Sequence, residues 1–159
     1  MKKYEFTGET KQVELLFRTA TLHRIKAVAE FGIVKVGDLG GWIEKEENLS
    51  HDGNAWVYGN AWIYGNAKVY GDAEVWGDAK VYSISHVLVI GPIGSRNDFT
   101  TFFRDKDSEI TVKCGCFIGK IDKFLEKVCE THGDSKYAIV YRAAVEIAKQ
   151  QIDLSEEKQ

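Results

Sequence analysis

One proline and three cysteines are all that 159 residues contain of those two types. An odd cysteine count with no pair of CxxC motifs argues against both a disulfide framework and a zinc ribbon. Cys114-Gly-Cys116 reads as two thiols on one face of a strand rather than as a metal-ligand pair. No stretch approaches the roughly 20 consecutive apolar residues of a membrane span. The opening MKKYEFTGETK has no apolar run after its lysines, so no signal peptide is expected. These features predict a cytosolic protein with reduced thiols and no membrane partner. A net charge of −3 gives no electrostatic case for binding a nucleic-acid polymer or an anionic membrane. Walker, Rossmann, HExxH and GxSxG patterns are missing. The balance of 44% hydrophobic and 28% charged residues still belongs to a folded chain.

What is present in quantity is glycine, at fifteen residues, and it is positional. Cut into hexads from residue 51, the chain reads HDGNAW, VYGNAW, IYGNAK, VYGDAE, VWGDAK, VYSISH. Position one holds Val57, Ile63, Val69, Val75 and Val81; position five holds Ala55, Ala61, Ala67, Ala73 and Ala79. Gly-Asn or Gly-Asp at positions three and four suits corners that need positive φ. Short strands between corners would place Ala and Val inward and the large aromatics outward.

This pattern resembles the hexapeptide-repeat left-handed β-helix, in which three hexads make one triangular coil. The resemblance implies about two coils over residues 51–86. GDLGGWIEKEENLS at 37–50, followed by GNA hexads, is similar to small hexapeptide-repeat proteins of phages and prophages. That implies a bacterial host cytosol. A C-terminal pattern, GPIGSR then CGCFxG, looks like a module of the same proteins. The implied fold is mixed β and α+β: an N-terminal β cap (1–50), the β-helix (51–86), a C-terminal α+β module (87–154) and a frayed tail (155–159).

Within the cap, Tyr4-Glu5-Phe6 and Val13 to Phe17 read as strands around a turn at Gly8-Glu9-Thr10, and Leu22 to Val28 as a half-buried strand. In the last module, Val87 to Ile90 reads as a strand, and residues 99–114 as a hairpin around Asp105 to Ser108. Ile121, Phe124, Leu125 and Val128 give a helix face ending near Gly133. Tyr137, Ala138, Tyr141, Ala144, Val145, Ala148 and Ile152 form the stripe of a second helix.

An 18-residue coil puts Tyr58 near Trp76, Tyr64 near Tyr82, Trp62 over Lys80 and Trp56 over Glu74. With Tyr70, these aromatics make a surface that something must cover. The candidates are the chain's own caps, a homo-oligomer (a trimer by resemblance, or a dimer) or a ligand. The anion-suited loop is Gly94, Ser95, Arg96 and Asn97, with Thr100, Thr101 and Arg104 downstream; Cys116, Phe117 and His132 are candidates for the same wall. His51 and His86 bracket the repeat but lack the setting of a catalytic base. The expected function is a non-enzymatic, oligomeric ligand-binding protein with no cofactor and no metal. Its ligand is a phosphate-containing nucleotide, and its concrete form is a sponge for a nucleotide-derived defence signal. The alternatives are a structural or protein-interaction module and a relative of the hexapeptide-repeat acyltransferases.

Overall fold

The computed structural model describes residues 1–155; of the expected frayed tail, 156–159 lie outside the described residues. The fold is α+β, and the described residues form mixed sheets and two helices, with no closed barrel among them. The strands are β1 (Tyr4–Glu14), β2 (Thr19–Ala27), β3 (Leu39–Ile43), β4 (Trp56–Val57), β5 (Trp62–Ile63), β6 (Glu74–Val75), β7 (Lys80–Val81), β8 (Val87–Ile93), β9 (Asp98–Arg104), β10 (Ile110–Cys114) and β11 (Phe117–Lys120). The helices are α1 (Ile121–His132) and α2 (Lys136–Gln151).

The repeat pairs with itself at the expected spacing. β4 lies parallel to β6 with Trp56 opposite Glu74 and Val57 opposite Val75; β5 lies parallel to β7 with Trp62 opposite Lys80 and Ile63 opposite Val81. Each partner is 18 residues away. A parallel bridge between Leu49 and Val69 supplies a third set of rungs. Position-one aliphatics and position-five alanines are all buried, and they form one core with Tyr4, Ile25, Trp56 and Phe103. The corners are made by glycine in the left-handed region. Gly53 has φ +68°, and a Cβ there would fall 2.4 Å from the Gly71 carbonyl oxygen. Both the conformation and the close approach of successive rungs require glycine at that corner.

The flanks close this core. β1, β2 and β3 are antiparallel neighbours, and β3, β5 and β7 continue the same five-stranded sheet in parallel. The expected turn at 8–10 is instead a register irregularity within one long strand, between Phe6 and Thr10, with Gly8 at φ +96°. The hairpin turn falls at 15–18, closed by the Leu15 amide on the Arg18 carbonyl at 2.7 Å. Leu16 and Phe17, read as strand, are therefore exposed at its tip.

On the other side, β8 to β11 form an antiparallel sheet in the order β11-β10-β9-β8. One face carries Val87, Val89 and Phe103 into the repeat core. The other carries Phe102, Ile110 and Val112 against Phe124, Val128, Tyr141, Val145 and Ala148 of the two helices. The first helix ends at Gly133, whose φ of +57° and N–H donated to the Cys129 carbonyl make the stop. Ile63 sits at the centre of the stacked rungs with no exposed surface. Ile63→Ala should lower the unfolding free energy by about 2–5 kcal/mol, read from urea denaturation followed by circular dichroism.

Candidate functional site

Two tight turns and two helices enclose a cleft of about 380 Å³. The first turn joins β8 to β9, with Gly94 at φ +78° and Asn97 at φ +50°, closed by the Asn97 amide on the Gly94 carbonyl at 3.2 Å. The second joins β10 to β11 at Gly115, φ +57°. Gly94 is fixed by packing as well as by φ, because a Cβ there would lie 1.8 Å from the Tyr141 hydroxyl. Arg96 reaches across to the second turn, where its guanidinium would stand 3.5 Å from a Cβ on Gly115.

The floor is aromatic. Phe124 packs against Phe117 at 5.5 Å and edge-on to Tyr141 at 5.6 Å, and His132 lies over Tyr141 at 5.7 Å with ring planes 29° apart. Val128 and the Cys114 and Cys116 thiols complete the apolar lining. The rim is mainly cationic: Arg96 and Lys127 line it, with Asp98 the one carboxylate among the lining residues. The Tyr141 hydroxyl is pushed up to about 12, first by burial and then by Cys114, whose sulfur lies 3.9 Å away. It is a neutral hydrogen-bonding group at physiological pH. Such a cleft suits a small ligand that has a flat apolar body and a negatively charged end.

Of the residues singled out in the sequence, Ser95, Arg96, Cys116, Phe117 and His132 come from separate segments and line this one cleft. Gly94 lies behind it under Tyr141. Asn97 closes the turn and does not line the cleft. Thr100 is buried and donates to the Cys114 sulfur at 3.4 Å. Thr101 faces the repeat instead, where its hydroxyl accepts the Glu74 amide at 3.0 Å. Arg104 sits at the far end of β9, against Tyr82 and Ser108. Lys127, Thr131 and Tyr141 belong to the cleft and were not singled out for it; the signal for the first two was their helical spacing from Phe124 and Val128.

The chain itself buries Trp56 and Tyr64 and half-buries Tyr58, Trp62, Trp76 and Tyr82. Trp56 packs edge-on to Tyr4 at 6.2 Å and to Phe31 at 5.2 Å. Trp42, Tyr64, Ala20 and Leu22 form a separate small core with Trp62 and Tyr82 at its margin. Tyr58 stacks on Trp76 at 3.8 Å, and Tyr64 on Tyr82 at 5.3 Å. Lys80 lies over Trp62 at 4.4 Å. Tyr70 is the repeat aromatic left exposed.

Neither bracketing histidine offers a free basic nitrogen. His51 stacks on Tyr4 at 4.1 Å; its Nδ1 accepts the Lys3 amide at 3.2 Å, which leaves Nε2–H facing Glu46 at 3.3 Å. His86 is buried, and its Nδ1 accepts the Tyr82 amide at 3.2 Å. Burial, then the Arg104 charge, pushes its pKa down to about 4 from 6.5. Among the described residues, no group of three or more His, Cys, Asp or Glu could hold a metal ion, and no helix is long and apolar enough to cross a membrane.

The lowered His86 pKa has a sign. Between about pH 6.5 and 4 the unfolded imidazole binds a proton that the folded one refuses. The stability this residue contributes is therefore whole at neutral pH and drains away as pH falls through that window. The urea midpoint should drop between pH 6.5 and 4, and His86→Asn, which keeps an acceptor for the Tyr82 amide, should flatten that drop.

No family model matches the chain. Over 62 residues it is 34% identical to the protein named uncharacterized acetyltransferase YdcK of Escherichia coli (strain K12). The aligned stretch covers 36% of this chain and 19% of that protein. The chain thus shares a short stretch of similarity with an acetyltransferase and spans about a fifth of its length.

Proposed function

We propose that the chain is a non-enzymatic ligand-binding protein whose site is the cleft between the Gly94–Asn97 turn, the Gly115 turn and helices α1 and α2. The observation that carries the proposal is the convergence of Arg96, Lys127, Phe117, Phe124, Tyr141 and His132 on one cleft of about 380 Å³. That volume falls within the range usual for small-molecule sites. Aromatic faces bind a flat ring, and a guanidinium at the rim binds a phosphate in bidentate fashion. A nucleotide-derived ligand has both parts. Sequestration of a defence signal, by a phage-type protein, needs tight binding and no turnover, and it is the most specific form of this reading.

On the same reading, residues 51–86 are a short left-handed β-helix. Its support is the 18-residue rung spacing and the positive-φ glycine corners. The repeat would serve as a rigid base that holds β9 and the turns beside it. Assembly as a dimer or trimer belongs to this reading, and native mass spectrometry of protein from cells reads subunit count and bound ligand together.

A second reading is favoured by the short similarity to YdcK: an acyltransferase relative. The engaged ring nitrogens of His51 and His86 weigh against it. The two separate by experiment. Calorimetry against adenosine monophosphate, cyclic dinucleotides and ADP-ribose should find a ligand that is recovered intact after denaturation. Arg96→Ala should weaken it by roughly 1.5–3 kcal/mol, or about tenfold or more. Acetyl-coenzyme A turnover that disappears in His51→Ala, with no binding of the nucleotides, would overturn the proposal.

A further inference from the structure

A second hollow, of about 290 Å³, lies where the repeat meets the four-stranded sheet. Lys80, Tyr64 and Tyr82 line it from the repeat, and Arg104, Lys106, Ser108 and one carboxylate, Asp105, from the end of β9 and the turn after it. Arg104 is the unusual member. The residue is only 6% exposed, yet among the described residues no carboxylate pairs with it, the adjacent Asp105 pairing with Lys120 instead. Its guanidinium donates to the Tyr82 hydroxyl and, at 2.9 Å, to the Ser108 hydroxyl. Its Nε is buried and has no partner. The His86 Nε2 lies 3.5 Å away but cannot serve. The Nδ1 of that ring accepts the Tyr82 amide, so Nε2 carries the hydrogen and two donors face each other.

The nearby carboxylates are committed or remote. Asp105 binds Lys120 at 2.6 Å, Thr111 at 2.7 Å, and the amides of Asp107 and Glu109 at 2.9 and 3.1 Å. Asp153 is exposed and influences Arg104 without touching it. A buried cation with its charge unmet is costly, and a counterion is the ordinary remedy. Lys80 and Lys106 add two cations at the mouth, Lys106 being shared with Asp107 at 3.3 Å.

We propose that this hollow is an oxyanion site, separate from the cleft, built for a phosphate group held by Arg104, Lys80 and Lys106. The guanidinium fork matches the geometry of a phosphate. The Tyr82 and Ser108 hydroxyls accept from Arg104, so their own hydrogens are available to donate to the anion. The stacked rings of Tyr64 and Tyr82 form the wall against which an organic group on the phosphate would rest.

Titration of the full chain with inorganic phosphate, followed by amide NMR shifts at constant ionic strength set with chloride, tests this. Shifts should appear at Lys80 to Tyr82 and Arg104 to Ser108. Lys80→Ala/Lys106→Ala, at exposed positions, should weaken phosphate at least tenfold while the fold is kept. Arg104→Met should abolish it, and if that variant fails to fold the double variant carries the test. Phenyl phosphate binding tighter than inorganic phosphate identifies the phosphoryl group of an organic ligand; equal or weaker binding identifies the free oxyanion. Either outcome supports the site. Shifts confined to Ser95–Asn97 and Gly115–Cys116, no response beyond that to chloride, or unchanged affinity in the double variant overturns it.

Discussion

Phe102 and Phe103 are neighbours in sequence and belong to different hydrophobic cores. A strand sends successive side chains to opposite faces, so β9 can bind two layers at once. Phe103 lies in the repeat core with Val75, Val81 and Val87, and Phe102 lies against Phe124 in the helical layer. Everything downstream hangs on this strand. Its two ends reach the two candidate sites: the Gly94–Asn97 turn before it opens on the cleft, and Arg104 at its end lines the hollow. Thr101, between them, ties the strand to the repeat through the Glu74 amide. A shift of one residue in the register of β9 would exchange the two faces and empty both cores.

The same alternation explains what could be read from the sequence and what could not. The repeat was legible because one periodicity sets everything in it. Small or branched residues recur inside, glycine recurs at corners, and the 18-residue partners Tyr58/Trp76 and Tyr64/Tyr82 follow by arithmetic. The turn before β9 was legible as a polar, glycine-containing loop with an arginine, and Ser95 and Arg96 do line the cleft. Thr101 and Arg104 were grouped with that loop because they are near it in sequence. Distance along a strand carries them away: Thr101 turns to the other face, and Arg104 travels to the other end. Helical spacing places Lys127 and Thr131 beside Phe124 and Val128 on α1, but that this edge of the helix faces the two turns is set by tertiary packing. Gly8 misled for a related reason, since glycine with positive φ marks bulges as well as turns.

The outward aromatics show how the chain meets its own demand for cover. A short stack of rungs exposes wide apolar sides, and the β1–β2 hairpin and the four-stranded sheet are placed over them. Trp56 disappears under Tyr4 and Phe31, while the Lys11 ammonium lies over the Trp42 and Trp62 rings at 4.5 and 5.2 Å. Covering by cation–aromatic contact leaves those faces polar at their outer limit. Trp residues capped by lysines are poorer oligomer surfaces than bare ones, so an interface between copies would have to draw on other exposed apolar side chains, such as Tyr70 or Ile139 and Ile147 on α2.

Two buried cations in this chain are handled in opposite ways, and the contrast bears on function. Lys3 is 3% exposed, and its ammonium donates to the Ala55 carbonyl at 2.7 Å and lies within 3.5 Å of the Gly53 and Asp52 carbonyls. Burial draws its pKa down to about 8, which lets the site relieve its charge by losing a proton in mildly basic solution. Three carbonyls facing three ammonium hydrogens is a complete structural arrangement. Arg104 has no such relief. A guanidinium does not deprotonate at accessible pH, and the groups Arg104 touches are the Tyr82 and Ser108 hydroxyls and the face of the Tyr82 ring at 5.1 Å, none of which carries a negative charge. Lysine at the N-terminal end closes its environment by itself; arginine at the end of β9 has no carboxylate of its own, and faces a hollow lined by two lysines and by Asp105, which is held by Lys120. Under the proposed oxyanion site, a bound phosphate would supply the counter-charge that no carboxylate of the described residues brings to Arg104.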